Sequence, residues 1–213
     1  MNSIEKLTEY FSKFPGIGPR QAKRFVYFLL TRNNGFLNEF TGLIKQLKQD
    51  IKICRSCFRF YPASAAGGQY SADNSELCAI CSNPNRDNDI LMVVGKDADL
   101  ENIERIGNYN GLYFVLGVYI PILEKTPEQF IRIEKFLTLI QKKAAGGELK
   151  EIILALSLNP EGENTIEYLL EKLKPLAEKY SIKISTLGRG LSTGTELEYS
   201  DSETFKNAFK NRN

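Results

Sequence analysis

The chain has 213 residues, with 28 Lys and Arg against 26 Asp and Glu, a formal charge of +2 and 42% hydrophobic residues, enough for one good core and one or two small modules. It contains no histidine, which excludes histidine-dependent triads and histidine metal ligands. No apolar run reaches membrane-spanning length, and MNSIEKLTEYF lacks a signal-peptide core; a soluble, cytoplasmic protein is expected, in which four cysteines point to metal rather than disulfides.

The net charge hides a division. Residues 1 to 60 hold 11 Lys/Arg against 4 Asp/Glu, a charge of +7, and the remainder holds 17 against 22, a charge of −5. A polyanion is expected at the basic end. The acidic remainder suits protein contacts, or is an ordinary solvated surface.

In chain order, Asn2 with Glu5 predicts the cap of a first helix in which Leu7 and Phe11 share a face and Phe14 closes the end. The stretch FPGIGPRQAKRFVYFLL, Phe14 to Leu30, follows. Gly16 and Gly18 permit a tight turn around Ile17, Pro19 presets the first helical residue, and Arg20, Lys23 and Arg24 lie in the first turns. Backbone N–H groups at such a helix start approach an anionic oxygen closely, and the guanidinium groups add charge without reading a base. Gly16, Ile17, Gly18, Arg20, Lys23 and Arg24 are therefore the candidate DNA-binding residues, in the form of a helix-hairpin-helix turn. The alternative is a Gly-Pro helix start whose cations merely face water. A Rossmann phosphate loop fits worse, because the third glycine is replaced by Gln21 and no strand precedes it. This second helix is expected to reach about Arg32 and to end at Asn33-Asn34-Gly35. A third carries Leu37, Phe40, Leu43, Ile44 and Leu47 at helical spacing, expected as core.

Cys54-Arg55-Ser56-Cys57 and Cys78-Ala79-Ile80-Cys81 are two C-x-x-C knuckles separated by twenty residues. Each presents two thiolates from one turn, so Cys54, Cys57, Cys78 and Cys81 suit one tetrahedral zinc per chain. With four thiolates bound no position is left for water, and the metal is expected to be structural. A redox pair or four unligated thiols are the competing readings, and the doubled motif argues against both. Between the knuckles, Ala63 to Asp73 is small and polar enough for a flexible excursion.

From Asp89 the pattern alternates. Strands are expected at Ile90–Val94, Leu112–Leu116, Ile152–Leu156 and Ile182–Leu187. Helices are expected at Leu100–Ile106, at Pro127 to Ala145 behind a Thr126-Pro127-Glu128 start, and at Asn164–Tyr180. Such βα units predict a mainly parallel sheet with covering helices. A short polar helix near Thr204 to Lys210 closes the chain.

The order of these modules, with FPGIGPRQAKRF, CAICSNPNRD, GLYFVLG, EGENT and GRGLSTGTELEYSD, resembles the bacterial recombination mediator family RecR over nearly the whole chain. The resemblance implies a multi-module α/β protein. Residues 1–52 would be the helix-hairpin-helix module, 53–88 a Cys₄ zinc finger, 89–188 a Toprim domain, and 189–213 a tail for oligomerisation. It also implies a homo-oligomer, a dimer or tetrameric ring, that holds DNA without sequence preference. Such a clamp has no reaction of its own, and works with RecO-like and RecF-like partners to load recombinase on single-stranded DNA.

Two departures stand out. The spacer between the cysteine pairs is longer than usual for the family, and Gly95-Lys96-Asp97 stands where a Toprim glutamate would end the first strand. With Glu161-Gly162-Glu163 aligned to the Toprim acidic segment, Ser157 and Asn159 take the places of the metal-binding aspartates. A hard, hydrated Mg²⁺ needs several carboxylates, so the cage is nearly empty. The enzyme alternative, a Toprim nuclease or primase, would require Asp97, Asp99, Glu161 and Glu163 to build an unusual Mg²⁺ site. A zinc-stabilised interaction scaffold without DNA binding is the third reading.

Overall fold

The structure is a computed structural model that describes residues 1–63, 76–129, 132–188, 190–191, 194 and 196–210. The expected excursion from Ala63 to Asp73 lies, beyond Ala63 itself, outside the described residues. The chain divides into two compact units, Met1–Lys52 and Ile53–Asn213.

The first unit is α1 (Ser3–Ser12), α2 (Pro19–Leu30) and α3 (Asn34–Asp50). Asn2 and Glu5 form a reciprocal capping box: Asn2 Oδ1 accepts the Glu5 N–H, and the Glu5 carboxylate accepts the Asn2 N–H, both at 3.0 Å. Asn33 belongs to the third helix rather than the end of the second, since its Oδ1 accepts the Phe36 N–H at 2.9 Å and caps α3. Helices α1 and α2 pack through Phe11, which meets Phe14 and Phe25 at ring distances of 5.8 and 5.7 Å. Only Ala22 and Val26 are buried in the three helices. The expectation that the α3 stripe is core is therefore corrected: Leu43, Ile44 and Leu47 are 60%, 54% and 60% exposed. Aromatic contacts fix α3 at its start, where Phe36 packs edge-on against Phe28, and nothing in the described unit covers its later turns.

Strand β1 (Ile51–Ile53), at the boundary of the two units, pairs with β2 (Phe60–Pro62) in a two-stranded sheet, and the second unit contains a four-stranded sheet. The larger sheet comprises β3 (Asp87–Val94), β4 (Gly111–Val115), β5 (Glu151–Ala155) and β6 (Lys183–Thr186), in the order β4-β3-β5-β6 with every pairing parallel. Its helices are α4 (Asp97–Ile106), α5 (Ile133–Ala145) and α6 (Pro160–Tyr180), with α7 (Ser202–Lys210) following.

Side chains alternate between two buried faces, as expected of a parallel sheet covered on both sides. Leu91, Val93, Phe114, Ile152 and Leu154 face Phe136 and Ile140 of α5 and Leu169 and Leu173 of α6. Met92, Val94, Tyr113 and Val115 face the other way, onto Leu100 of α4 and onto Cys54, Cys57, Tyr61 and Cys78. Fully burying one such Leu, Ile or Phe contributes roughly 1.5–3 kcal/mol. The cysteine module is thus part of the sheet's second covering layer.

Three helix starts differ from expectation. Pro127–Gln129 is a separate 3₁₀ turn, and α5 begins at Ile133, where the apolar stripe Ile133, Phe136, Ile140 starts. Helix α6 begins at Pro160, because Asn159 caps it and proline fits the first helical position. Helix α4 starts at Asp97 instead of Leu100, because Asp99 Oδ2 accepts the Lys96 N–H.

Candidate nucleic-acid interface and thiolate cluster

In the hairpin of the first unit, the Ile17 N–H bonds to the Phe14 carbonyl at 3.1 Å. Gly16 sits at φ +75°, in the left-handed region that a side chain resists. Gly18 is the extended cap of α2 and has no side chain to cover the helix start. The first helical bond runs from the Ala22 N–H to the Gly18 carbonyl at 2.9 Å. Pro19 has no N–H, so the amides of Arg20 and Gln21 point out of the helix start without intrahelical acceptors. A cap side chain would have taken one of them.

Arg20, Lys23 and Arg24 are exposed. Lys23 leans over the Tyr27 ring at 5.8 Å, and Arg24 donates to Gln21 Oε1 at 3.3 Å. Among the described residues none of the three is held in an ion pair with a carboxylate. Arg20 and Arg24, four residues apart, lie on one side of α2. The six residues singled out in the sequence are therefore together on one turn and the helix that follows it.

Cys54, Cys57, Cys78 and Cys81 converge in the second unit, their four sulfurs all within 4.8 Å of one another. The turns are held by backbone bonds: Phe58 N–H to Cys54 C=O and Ser82 N–H to Cys78 C=O, both 3.0 Å. Phe58 takes a left-handed φ of 62° to close the first knuckle. The Cys78 N–H donates to Cys54 Sγ at 3.4 Å, and the Cys57 and Cys78 sulfurs are 3.6 Å apart. Sulfurs around a tetrahedral ion are separated by about 3.8 Å for bonds near 2.3 Å, so four thiolates in this arrangement could hold a metal. Hydrogen bonds from Cys57, Cys78 and Cys81 draw the Cys54 thiol far below its ordinary value. The matching contacts, with burial, raise Cys57. Four such thiols ionise together only with a cation among them. Within the described residues this is the one group of three or more Cys, Asp or Glu side chains gathered closely enough for a metal ion.

At the carboxyl ends of the sheet strands, where open α/β sheets place their ligands, the side chains are tied up. Gly95 is buried behind Tyr119, whose hydroxyl hydrogen-bonds with Ser157 Oγ at 2.9 Å and accepts the Ser157 N–H at 3.2 Å. A Cβ on Gly95 would lie 2.3 Å from that hydroxyl. Asn159 caps α6 by accepting the Gly162 N–H at 2.8 Å. Asp97 accepts the Phe60 N–H at 2.7 Å, and Asp99 caps α4. Glu161 and Glu163 lie in the first turn of α6, where the dipole favours them. Gly162 is required by close approach, since a Cβ there would meet the Ser157 carbonyl at 1.9 Å. Asn164 and Thr165 then pin the loop that carries Tyr119: Thr165 Oγ1 accepts the Ile120 N–H at 2.9 Å, and Asn164 donates to the Ile120 carbonyl at 3.2 Å. Asp97, Asp99, Glu161 and Glu163 are not among the gathered metal-ligand groups. Tyr119 is the residue that the sequence did not reveal. Its only signal was the glycine at 95.

Comparison with known proteins finds matches in two stretches of the chain. Residues 4–48 match the model described as RecR, helix-hairpin-helix, and residues 89–187 match the Toprim domain. The Recombination protein RecR of Lactobacillus acidophilus is 37% identical over 210 residues, covering 98% of this chain and 96% of the relative. Those of Bacteroides thetaiotaomicron and Chloroflexus aurantiacus are 36% and 35% identical over 209 residues, covering 98% of this chain and 92% and 93% of the relatives. With family models matching both the hairpin and the sheet domain, and identity above a third along nearly the whole length, the chain belongs to the RecR family.

Proposed function

We propose that the protein is a DNA-holding mediator of recombinational repair: a clamp that grips the phosphate backbone through the Gly16–Gly18 turn and Arg20, Lys23 and Arg24, and that performs no reaction on the DNA. The observation that carries this is the uncapped start of α2, where outward-facing amides of Arg20 and Gln21 stand beside three exposed cations. That combination binds an oxygen anion in any sequence context. The relatives' name, Recombination protein RecR, gives the cellular process.

The ion at Cys54, Cys57, Cys78 and Cys81 is taken to be zinc, since four thiolates with no imidazole or carboxylate suit that metal. Bound there, zinc supplies a cross-link between two knuckles and no open coordination position. The four thiolates would hold it, and their turns set Cys54, Cys57, Tyr61, Cys78 and Ile80 against the sheet.

The sheet domain, residues 89–188, would serve assembly and docking of RecO-like and RecF-like partners. The support is that the positions of Toprim carboxylates carry Gly95, Ser157 and Asn159, the last two occupied in other bonds. Residues 189–213 would contribute to a homo-oligomer. No helix of the described residues is long and apolar enough to cross a membrane, which agrees with a cytoplasmic protein.

The test is solution mass by light scattering, with and without DNA, beside Mg²⁺-dependent cleavage and primer-synthesis assays. Assembly and DNA retention without any change to the strand are expected. Cutting, relaxation or extension of DNA that Glu161→Gln abolishes would replace the clamp with an enzyme.

A further inference from the structure

In the second unit, a cleft of about 570 Å³ opens between the first cysteine knuckle and α5. Its rim carries Arg55 from the knuckle and Lys135 and Lys142 from α5, all exposed and none in an ion pair among the described residues. One carboxylate, Glu134, joins them. Half-buried Leu77 and Leu139 supply an apolar lining.

Lys135 and Lys142 are seven residues apart, two turns of α5, and so stand roughly 10 Å apart on one helix face. Carboxylates three residues apart in a peptide of polyproline II form, which has three residues per turn and a rise of about 3.1 Å, share one face about 9 Å apart and match this spacing. A side chain on the next residue is turned about 120° away and can reach toward the leucines.

Single-stranded nucleic acid fits less well. It binds such grooves by stacking bases on open aromatic faces. The one aromatic ring here, Phe58, has Lys135 over it at 5.0 Å and Arg132 at 5.6 Å, and it packs against Phe114 at 5.3 Å. Glu134 repels a phosphate and a peptide carboxylate alike and does not separate the two, so the covered ring of Phe58 is what disfavours nucleic acid.

We propose that this cleft docks an extended acidic peptide from a partner protein, with carboxylates on Lys135, Lys142 and Arg55 and an apolar side chain between Leu77 and Leu139. It forms a protein-recognition site separate from the DNA-gripping turn.

The probe is a fluorescein-labelled peptide, Gly-Asp-Leu-Asp-Asp-Leu-Asp-Gly, titrated with the full-length protein and read by fluorescence anisotropy. Saturable binding is expected that weakens with salt. It should fall at least tenfold in Lys135→Glu with Lys142→Glu, and a peptide with serine for leucine should also lose it. Thr138→Tyr, which fills the cleft without altering charge, should lower affinity as well, with the melting temperature of each variant checked. The proposal fails if the wild-type protein does not bind the peptide, or if both variants bind it unchanged. It fails equally if a short oligothymidylate displaces the peptide and shows the same dependence on Lys135, Lys142 and Thr138, which would make the cleft a nucleic-acid site.

Discussion

The hydroxyl of Tyr119 occupies the space into which a side chain on Gly95 would grow: a Cβ built at Gly95 comes within 2.3 Å of the oxygen and 2.4 Å of the ring carbon that bears it. Gly95→Ala should therefore displace Tyr119 from Ser157 and cost about 1–3 kcal/mol, the range for overpacking a filled site. Tyr119→Ala also destabilises, but the pair should lose clearly less than the two losses combined, because truncating the ring makes room for the methyl. Urea unfolding of the three variants checks this, and simple additivity would refute the coupling. Gly95→Glu should unfold or distort the strand end and confer no Mg²⁺-dependent activity.

Arg20→Ala with Arg24→Ala should weaken DNA binding equally for all sequences while melting temperature and metal content stay unchanged. Each phosphate contact removed lowers the slope of log affinity against log salt by roughly 0.7 to 0.9, and in an oligomer the effect repeats in every subunit that touches the strand. Lys23→Ala alone should have a smaller effect, since Lys23 leans toward Tyr27. Affinity and slope that survive the double substitution would move the DNA site elsewhere and leave the turn as a structural corner.

One zinc per chain is expected by elemental analysis of protein purified without chelators. Cys78→Ser removes a sulfur that lies 3.6 Å from Cys57 and leaves an incomplete shell. Metal and thermal stability should be lost together, because metal binding is coupled to folding. Full zinc occupancy in that variant, or none in the wild type, would contradict the assignment.

Acid sensitivity should trace in part to Glu104. Burial raises its carboxyl, but hydrogen bonds from Arg86 and Tyr113 outweigh this and hold it below its ordinary 4.5. Arg86 pairs with it and also donates to the Tyr109 and Gly111 carbonyls at 3.4 Å. The folded-state value is depressed, so the stabilisation is fully present above 4.5 and is lost as the pH falls through the lower folded-state value. Glu104→Gln should cost about 1–3 kcal/mol at neutral pH and flatten the acid limb of stability against pH. A parallel downward shift of the whole curve, with the limb unchanged, would place the titration elsewhere.

The legible parts of the fold were those written in local chemistry. Asn2 with Glu5, Pro19 behind Gly18 and the two C-x-x-C turns each specify their geometry within a few residues. The strands were readable because both faces are buried and their apolar runs are nearly unbroken. Helix starts were read less well. Pro127 suits a 3₁₀ turn as readily as a helix, and Asn159-Pro160 is a stronger helix start than Asn164, since Asn159 caps α6 and proline fits its first position. The apolar spacing of Leu43, Ile44 and Leu47 gave the helix correctly, but periodicity does not tell whether anything covers a face. Tyr119 against Gly95 was out of reach because the contact joins the ends of two different strands through a loop that Asn164 and Thr165 pin.

Strand β4 forms an edge of the parallel sheet, where an open row of backbone groups would invite pairing with another molecule. At its end the Val115 N–H donates to the Cys57 carbonyl at 2.8 Å, and the Arg132 guanidinium reaches both the Phe58 and Val115 carbonyls, at 2.8 and 3.0 Å. The knuckle thus guards a sheet margin as well as gathering sulfurs. Stripping the ion should release that margin, so the failure of the metal-free protein should be visible as self-association into β-rich aggregates at concentrations where the intact protein stays dispersed.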